Sequence, residues 1–570
     1  MVNKKDIIKL LETIALYMEL KGENPFKIAA FRKAAASLES DQRSLKEIDD
    51  FTQLSGIGKG TAAVITEYIE KGESETLHQL QSEVPDGLLP LLKIAGLGGK
   101  KIAKLYKELN ITNAQELQAA CEAKKVSALA GFGAKSEEKI LAALQEQSSG
   151  PERLPLAYVL PIAEEIEAFL ATIPEVEKFS RAGSLRRMKE TVKDLDFIIA
   201  TNNSLAVKEK LLSIENVKNI IGAGNTKVSV TLAYQYDVSV DFRLVKPEEF
   251  YTTLHHFTGS KDHNVRMRQL AKDRGEKISE YGVENVETGE VRTFNSEEEF
   301  YAYFDLPYIA PEFREDGSEI DSFAGKELLS QGEIQGDLHM HTTWSDGAYS
   351  IEEMIEACRA KGYKYMAITD HSKYLKVANG LTEERLREQI KIIKELDKKY
   401  DDILILAGIE MDILPDGTLD YDNELLQELD IVIASIHSSF SQSREKIMDR
   451  LKTALQNPHV DLIAHPTGRL IGRREGYDVD IEELIELAKE TNTALELNAN
   501  PNRLDLSVEH LKKAQAAGVN IMINTDAHNM DMLDHMSIGV SNAMKAHMKS
   551  ATILNTKSTD ELLAFLKRND

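Results

Sequence analysis

Gly336-Asp337-Leu338-His339-Met340-His341-Thr342 is the stretch on which the reading of this chain turns. Polar and apolar residues alternate through it, so His339 and His341 project to one side of a strand while Leu338 and Met340 take the other. The same event repeats downstream. Short apolar runs end in metal-ligating residue types: Ala367-Ile368 leads into Thr369-Asp370-His371, Gly408-Ile409 into Glu410, Ser435-Ile436 into His437, Ile463-Ala464 into His465, and Ile523-Asn524-Thr525 into Asp526-Ala527-His528. Helical patterns over 351–361, 383–398 and 481–490 lie between these runs. Such βα repetition with apolar strands makes a buried parallel sheet, open or closed into a barrel, and in a barrel the active groups gather at the strand C-termini. His339, His341, Asp346, His371, Glu410, His437, His465, Asp526 and His528 supply nine donors of this kind. Nine nitrogen and oxygen donors exceed what one tetrahedral ion takes. They suit two or three ions with Glu410 as a bridge, and the mixture favours zinc or manganese, with iron a further option. The implied chemistry is metal-assisted cleavage of a phosphoester. His459, His510 and His547 have no comparable partners and stay outside the set.

The rest of the chain is long enough, at 570 residues, for about two to four domains with proper cores. Composition is that of a globular protein, 42% hydrophobic and 29% charged. The apolar run 7–20 is broken by Glu12 and Glu19 at helical spacing, so an amphipathic helix is expected there rather than a signal peptide, and no membrane span is expected. Two cysteines, Cys121 and Cys358, cannot build a disulfide framework, which fits a reducing, cytoplasmic compartment. A net charge of −25 argues at first against nucleic acid. Its distribution weakens that argument, because residues 1–150 carry a net −1 and cations concentrate in the runs 181–193 and 261–277.

Residues 1–150 read as all-helical. Three times a helix-like run breaks at a Gly-x-Gly pair and resumes: Gly56-Ile57-Gly58-Lys59-Gly60, Gly96-Leu97-Gly98-Gly99-Lys100 and Gly131-Phe132-Gly133-Ala134-Lys135. The repeat predicts helix–tight turn–helix hairpins whose bare backbone N–H groups can cradle a phosphate, touching backbone and not bases. Ordinary bundle packing would use the same pattern, and in either case the residue between the glycines plugs the hairpin core. Tyr68, Tyr106 and Phe132 are expected in the core.

Gly150-Pro151 marks a boundary, followed by a helical pattern over 156–169 and strands over 197–200, 227–232 and 236–244, a mixed α+β region with antiparallel strands. Helical and irregular segments are expected over 246–332, with 306–321 extended. Asp194 and Asp196, two apart at the start of a strand, face one way, and Asp241 on another strand completes a three-carboxylate cluster suited to Mg²⁺. Gly183-Ser184-Leu185-Arg186-Arg187 just before them supplies backbone and guanidinium donors for a triphosphate. Phosphoryl or nucleotidyl transfer is the chemistry this combination implies.

The histidine-rich motifs 336–342, 369–371, 462–466 and 524–528 resemble the polymerase and histidinol phosphatase (PHP) domain family. That resemblance implies a distorted seven-stranded βα barrel with three ions: one on His339, His341, Glu410 and Asp526, a second on Glu410, His437 and His465, a third on Asp346, His371 and His528. Residues 1–320 resemble family X DNA polymerases, the polymerase beta-like group, and the whole chain resembles their bacterial members. The architecture so implied is a helix-hairpin-helix region (1–150), an α+β nucleotidyltransferase palm (151–245), a thumb-like region (246–320), a linker (321–335) and the C-terminal (βα)7 barrel (336–570).

In the palm the resemblance implies that Asp194 and Asp196 hold two Mg²⁺ ions and Asp241 the one at the primer 3′-hydroxyl. Arg153, Gly183, Ser184 and Arg187 would bind triphosphate. Phe257 would line the sugar pocket in the same loop as Gly259, Asn264 would meet the base edge, and Arg268 the template strand. Gly56, Gly58, Lys59, Gly60, Gly96, Gly98 and Lys100 would grip DNA. His256 stands where the family carries Tyr, and Val64 where lyase-competent relatives carry a Schiff-base lysine, so no classical lyase is expected there. The implied function is gap-filling, template-directed synthesis on gapped or primer-template DNA with deoxynucleoside triphosphates. It is coupled to a Mn²⁺- or Zn²⁺-dependent 3′–5′ exonuclease, with abasic-site cleavage an added option. The chain is expected to be a monomer. Two alternatives are a hydrolase of a small phosphomonoester and a DNA-binding scaffold without turnover.

Overall fold

The apolar run Phe197-Ile198-Ile199-Ala200 sets the middle of the chain, because each face of its strand is buried against a different helix. Phe197 and Ile199 enter one core with the helix Leu156–Ala171, and Ile198 and Ala200 enter another with Phe250 and Leu254 of the helix Phe250–Thr258. This period-2 division is what a strand covered on both faces requires. The structure, a computed structural model, describes residues 4–567 apart from residues 42, 44, 46, 47, 49, 95, 149, 150 and 323–327. Gly150 of the expected boundary and residues 323–327 of the expected linker lie outside the described residues.

Two compact units make up the chain; Met1–Gly150 is the body of one, and Pro151–Met340 and most of the later residues form the body of the other. The first is all-helical. Helices Lys4–Lys21 and Pro25–Ser40 pack as a hairpin, the second started by Asn24, whose side chain accepts from the Phe26 N–H at 2.9 Å, with Pro25 in the first turn. Ahead of each of the first two Gly-x-Gly pairs stands a 3₁₀ turn, Phe51–Gln53 and Asp86–Lys93, where the sequence pattern suggested a longer helix. Pro90 sits inside the second and removes a backbone donor there. Full helices come after the glycines, at Lys59–Lys71, Gly99–Leu109 and Ala134–Ser148.

The palm sheet has five strands, β1 (Lys178–Arg181), β2 (Asp194–Ala200), β3 (Val217–Ala223), β4 (Lys227–Ala233) and β5 (Asp237–Val245), in the spatial order β1-β2-β5-β4-β3. All pairs are antiparallel except β2 and β5, which run parallel with Asp196 opposite Asp241 and Asp194 opposite Ser239. The sequence suggested only antiparallel strands. The helix Ser204–Leu211 and the hairpin after it carry the chain back before β5, and that crossover makes the central pair parallel. A small three-stranded antiparallel sheet, Glu276–Ser279, Gly282–Asn285 and Val291–Arg292, occupies part of 246–332, where helical and irregular structure was expected.

The last region is the expected distorted (βα)7 barrel. Its strands are β6 (Gly336–Asp337), β7 (Tyr365–Ile368), β8 (Leu404–Asp412), β9 (Ile431–Ser435), β10 (Leu462–Ile463), β11 (Ala494–Asn498) and β12 (Ile521–Asn524). They lie side by side in sequence order, every pair parallel. A parallel bridge between Met340 and Ala527 joins the two edges of the sheet. Among the described residues no helix is long and apolar enough to cross a membrane.

Candidate active sites

Each barrel strand ends where its apolar run meets a polar residue, so the donors converge on one mouth. Glu410, at the C-terminal half of β8, is fully buried and stands at the centre. His339 Nε2 and His371 Nδ1 approach its Oε2 at 3.4 and 2.9 Å, and His437 Nε2 and His465 Nε2 approach its Oε1 at 3.2 and 2.9 Å. Asp526 lies 3.7 Å from His339 and 3.6 Å from His528. Among the described residues three groups have ligand atoms within 4.8 Å of one another: His339, His341, Glu410 and Asp526; His341, Asp346, His371 and His528; and His371, Glu410 and His437. The first is the set anticipated from sequence. The second adds His341 to the anticipated third set. The remaining group differs, with His371 in the place expected for His465, which instead meets the Glu410 carboxylate directly. The donor chemistry fits divalent ions, because imidazoles converge on a shared carboxylate with further carboxylates beside them.

A supporting layer escaped the sequence reading. Glu496 on β11 takes His339 Nδ1 at 2.7 Å and also accepts the His465 backbone N–H at 2.7 Å. Asp412 meets His437 Nδ1 at 3.2 Å, and Asn498 donates to Asp526 at 3.1 Å. Such partners fix ring orientation and tautomer. Glu496 and Asn498 are fully buried, two apart in an otherwise apolar strand, and that spacing was the signal available.

Burial opposes charge on His339, but Glu496, Glu410 and Asp526 outweigh it and raise its pKa well above the imidazole range. Burial likewise works against His437, yet Glu410 and Asp412 push it up to about 10. Glu410 is the mirror case: burial favours its neutral form, while His437, His371 and His339 hold it well below the carboxylate range. In the metal-free protein the His339 and His437 imidazoles therefore carry protons at neutral pH, and ligation must expel them. Metal uptake is expected to release protons, and affinity to fall by about tenfold per pH unit for each proton displaced as pH drops. Titration calorimetry in buffers of differing ionisation enthalpy measures this; an enthalpy independent of buffer would contradict it.

In the palm, the β2–β5 register brings Asp194, Asp196 and Asp241 to one place. Burial, then the charges of Asp241 and Asp194, raise Asp196 to about 6. Asp241 is held by Lys227 Nζ at 2.7 Å and by Ser229 Oγ, which donates at 2.6 Å; neither residue was singled out from sequence. Gly183 has φ +59°, and a Cβ there would run into the Asp196 carboxylate, so the loop can lie against the acid only as glycine. Arg187 donates to the Thr258 carbonyl beside Gly259, and burial lowers its pKa. Ser184 is half-buried on the short helix Gly183–Arg186. Arg153 donates to the Thr191 carbonyl at 2.6 Å and to its hydroxyl at 3.0 Å. The Arg243 guanidinium lies 3.7 Å from the Phe257 ring centroid, Asn264 donates to the His256 carbonyl at 2.7 Å, and Arg268 is exposed.

In the helical region, Ile57, Leu97 and Phe132 are buried plugs as anticipated, and Tyr68 and Tyr106 pack partly against the core. Gly58, Gly60, Gly96, Gly98, Lys59 and Lys100 are exposed, and Gly56 is half-buried. A Cβ on Gly58 or Gly98 would touch nothing within 4 Å and neither has a left-handed φ, so the fold itself does not demand glycine there. Val64 is a core residue, 8% exposed.

Residues 2–74 match the Helix-hairpin-helix domain family and 88–146 the SAM-like Helix-hairpin-helix tandem. Residues 253–315 match the DNA polymerase beta thumb, and 337–500 the PHP domain. A probable phosphatase of Thermoanaerobacter sp. (strain X514) is 33% identical over 203 residues, 34% of this chain and 78% of that one. One from Caldanaerobacter subterraneus subsp. tengcongensis is 30% identical over 243 residues, 40% of this chain and 90% of that one. A Bacillus subtilis (strain 168) protein named DNA polymerase/3'-5' exonuclease PolX is 65% identical over 570 residues, covering 100% of both chains. The chain therefore belongs to the bacterial PolX family, whose members join a family X polymerase to a PHP domain.

Proposed function

We propose that the chain is a template-directed DNA polymerase that fills short gaps during repair, and that its barrel removes 3′ nucleotides, with abasic-site cleavage a further outlet of the same centre. One observation carries the reading: a single chain holds two acidic centres of different donor chemistry. Three carboxylates alone stand in the palm, whereas histidines surround a carboxylate in the barrel. The all-oxygen set of Asp194, Asp196 and Asp241 suits two Mg²⁺ ions, and the mixed set suits two or three Mn²⁺ or Zn²⁺ ions. When bound, these ions neutralise phosphate charge and act as Lewis acids toward its oxygens.

The chain's own groups do the rest. Ser184, Arg153 and Arg187 offer donors to the triphosphate of a deoxynucleoside triphosphate beside the Asp196 carboxylate. Lys227 and Ser229 hold Asp241 in one orientation, ready to meet the primer 3′-hydroxyl. Phe257 and Gly259 border the sugar, Asn264 the base and Arg268 the template strand. In the barrel, Glu496 and Asp412 fix the rings of His339 and His437. The exposed hairpin glycines with Lys59 and Lys100 take up the DNA backbone. A monomeric, cytoplasmic protein belongs to the same proposal. Its cytoplasmic part is supported by Cys121 and Cys358, both buried free thiols.

A gapped substrate with a labelled primer tests the division of labour. Alanine at Asp194 and Asp196 is expected to stop extension and spare shortening, and alanine at His339 and His341 to do the reverse. Loss of both activities in either variant would sink the two-centre reading. The similarity to probable phosphatases favours a second reading, hydrolysis of a small phosphomonoester in the barrel. It predicts faster turnover of small esters than of 3′-labelled DNA.

A further inference from the structure

The loop that begins at Gly183 does not end on palm residues alone. After the helix Gly183–Arg186 the chain turns through Met188, which has φ +51°, a left-handed conformation that a methionine does not favour. Its carbonyl accepts a 2.9 Å hydrogen bond from the ammonium of Lys545, the last residue of the barrel helix Met536–Lys545. Lys545 is 4% exposed. Among the described residues no carboxylate stands within ion-pair distance of it; Lys189 and Arg187 add like charge nearby, and Glu315 and Glu190 add opposite charge. Burying an ammonium is unfavourable unless hydrogen bonds and neighbouring opposite charge compensate it, and the Met188 carbonyl supplies such a bond.

Two positions on, the Glu190 carboxylate is gripped by both terminal nitrogens of Arg469, at 2.6 and 3.2 Å. Arg469 comes shortly after His465 at the mouth of the barrel. Its remaining hydrogen bonds go to the Arg503 carbonyl, at 3.0 Å, and the Leu504 carbonyl. Leu504 is itself a fully buried member of the palm core, with Ile471 and Ile538 of the barrel packed against the same cluster. Beside these contacts opens a cleft of about 780 Å³ lined by Arg153, Lys189, Thr191, Glu315, Arg469 and Lys545. The back of the phosphate loop is thus built from barrel side chains.

We propose that Lys545 and Arg469 are positioning residues for nucleotidyl transfer: by clamping Met188 and Glu190 they set the turn that aims Arg187 at the triphosphate. The barrel is then a structural part of the polymerase centre. The inference rests on the reading of Gly183–Arg187 as the triphosphate loop.

Steady-state extension across a one-nucleotide gap by the full chain tests it, with 3′ shortening of the same primer assayed in parallel. Lys545→Met and Glu190→Gln are each expected to raise KM for the incoming deoxynucleoside triphosphate by about tenfold, the scale of a lost charge-assisted hydrogen bond, with kcat and shortening within about twofold. Arg469→Gln combined with Glu190→Gln should cost no more than Glu190→Gln alone, because both remove one clamp. Glu190→Gln keeps its shape, so it serves should Lys545→Met misfold. Unchanged KM in both single variants overturns the inference, as does equal loss of extension and shortening. Wild-type extension that survives Asp194→Ala would instead overturn the polymerase reading beneath it.

Discussion

Replacing Glu410 with glutamine lowers the 3′–5′ exonuclease rate by about a thousandfold or more, while primer extension stays within about twofold of wild type. The size comes from geometry. Both Glu410 oxygens are engaged, two histidines converging on each, and the residue belongs to two of the three ligand groups. A glutamine side chain has the same shape but offers one acceptor oxygen and an NH₂ group with two donor hydrogens, and it carries no charge. The variant therefore faces histidines with an N–H₂ group where a shared ligand oxygen was needed. The negative charge that raises His339 and His437 is also removed, so the cluster loses its internal compensation. Metal content measured on the purified variant should fall together with shortening. A Glu410→Gln protein that shortens primers at near wild-type rate would refute the central place given to this carboxylate.

The second large effect is expected in the palm. Gly183→Ala should reduce extension by about a hundredfold or more and leave shortening intact, because displacing a catalytic group by about an ångström costs on that order. An alanine at φ +59° is disfavoured by about 1–2 kcal/mol, and its methyl collides with the Asp196 carboxylate. Either the loop retreats or the acid does, and each move separates the triphosphate donors from the three-carboxylate cluster. Extension at saturating triphosphate separates the two: a retreating loop raises KM, a displaced Asp196 lowers kcat. Wild-type extension by Gly183→Ala would show that the close approach is dispensable.

These two sites were legible to different depths. Eight of the nine anticipated barrel donors, all but His465, fall into the ligand groups found among the described residues. Most could be read because they stand at or just beyond the C-terminal end of an apolar strand, a rule that gives position without knowing curvature. Which donors form a group could not be read. Whether His371 or His465 joins Glu410 and His437 depends on how strands β7 and β10 are staggered around the barrel, and no local pattern records that. Glu496 stayed hidden because one acid in Ala-Leu-Glu-Leu-Asn reads as a lapse in an apolar run until a partner ring is found beside it. In the palm, Asp194 and Asp196 announced themselves by spacing, but Lys227 and Ser229 reach Asp241 only through the β4–β5 pairing. The small sheet over 276–292 was missed because strands of two to four residues carry too little alternation to register.

The plugged hairpins of the helical region carry one more consequence. Ile57, Leu97 and Phe132 tie each glycine turn to the hydrophobic interior, so the turns are stiff fingertips and not floppy loops. Each fingertip alone would hold a phosphate weakly. Leu97 and Phe132 share one core and Ile57 enters another in the same helical region. In the proposed DNA-binding role the turns would therefore act as a chelate: when one lets go, its neighbours keep the duplex at high local concentration and recapture is fast. Grip of that kind lasts without recognising sequence, and it lets a strand end be released from chemistry without the DNA being lost.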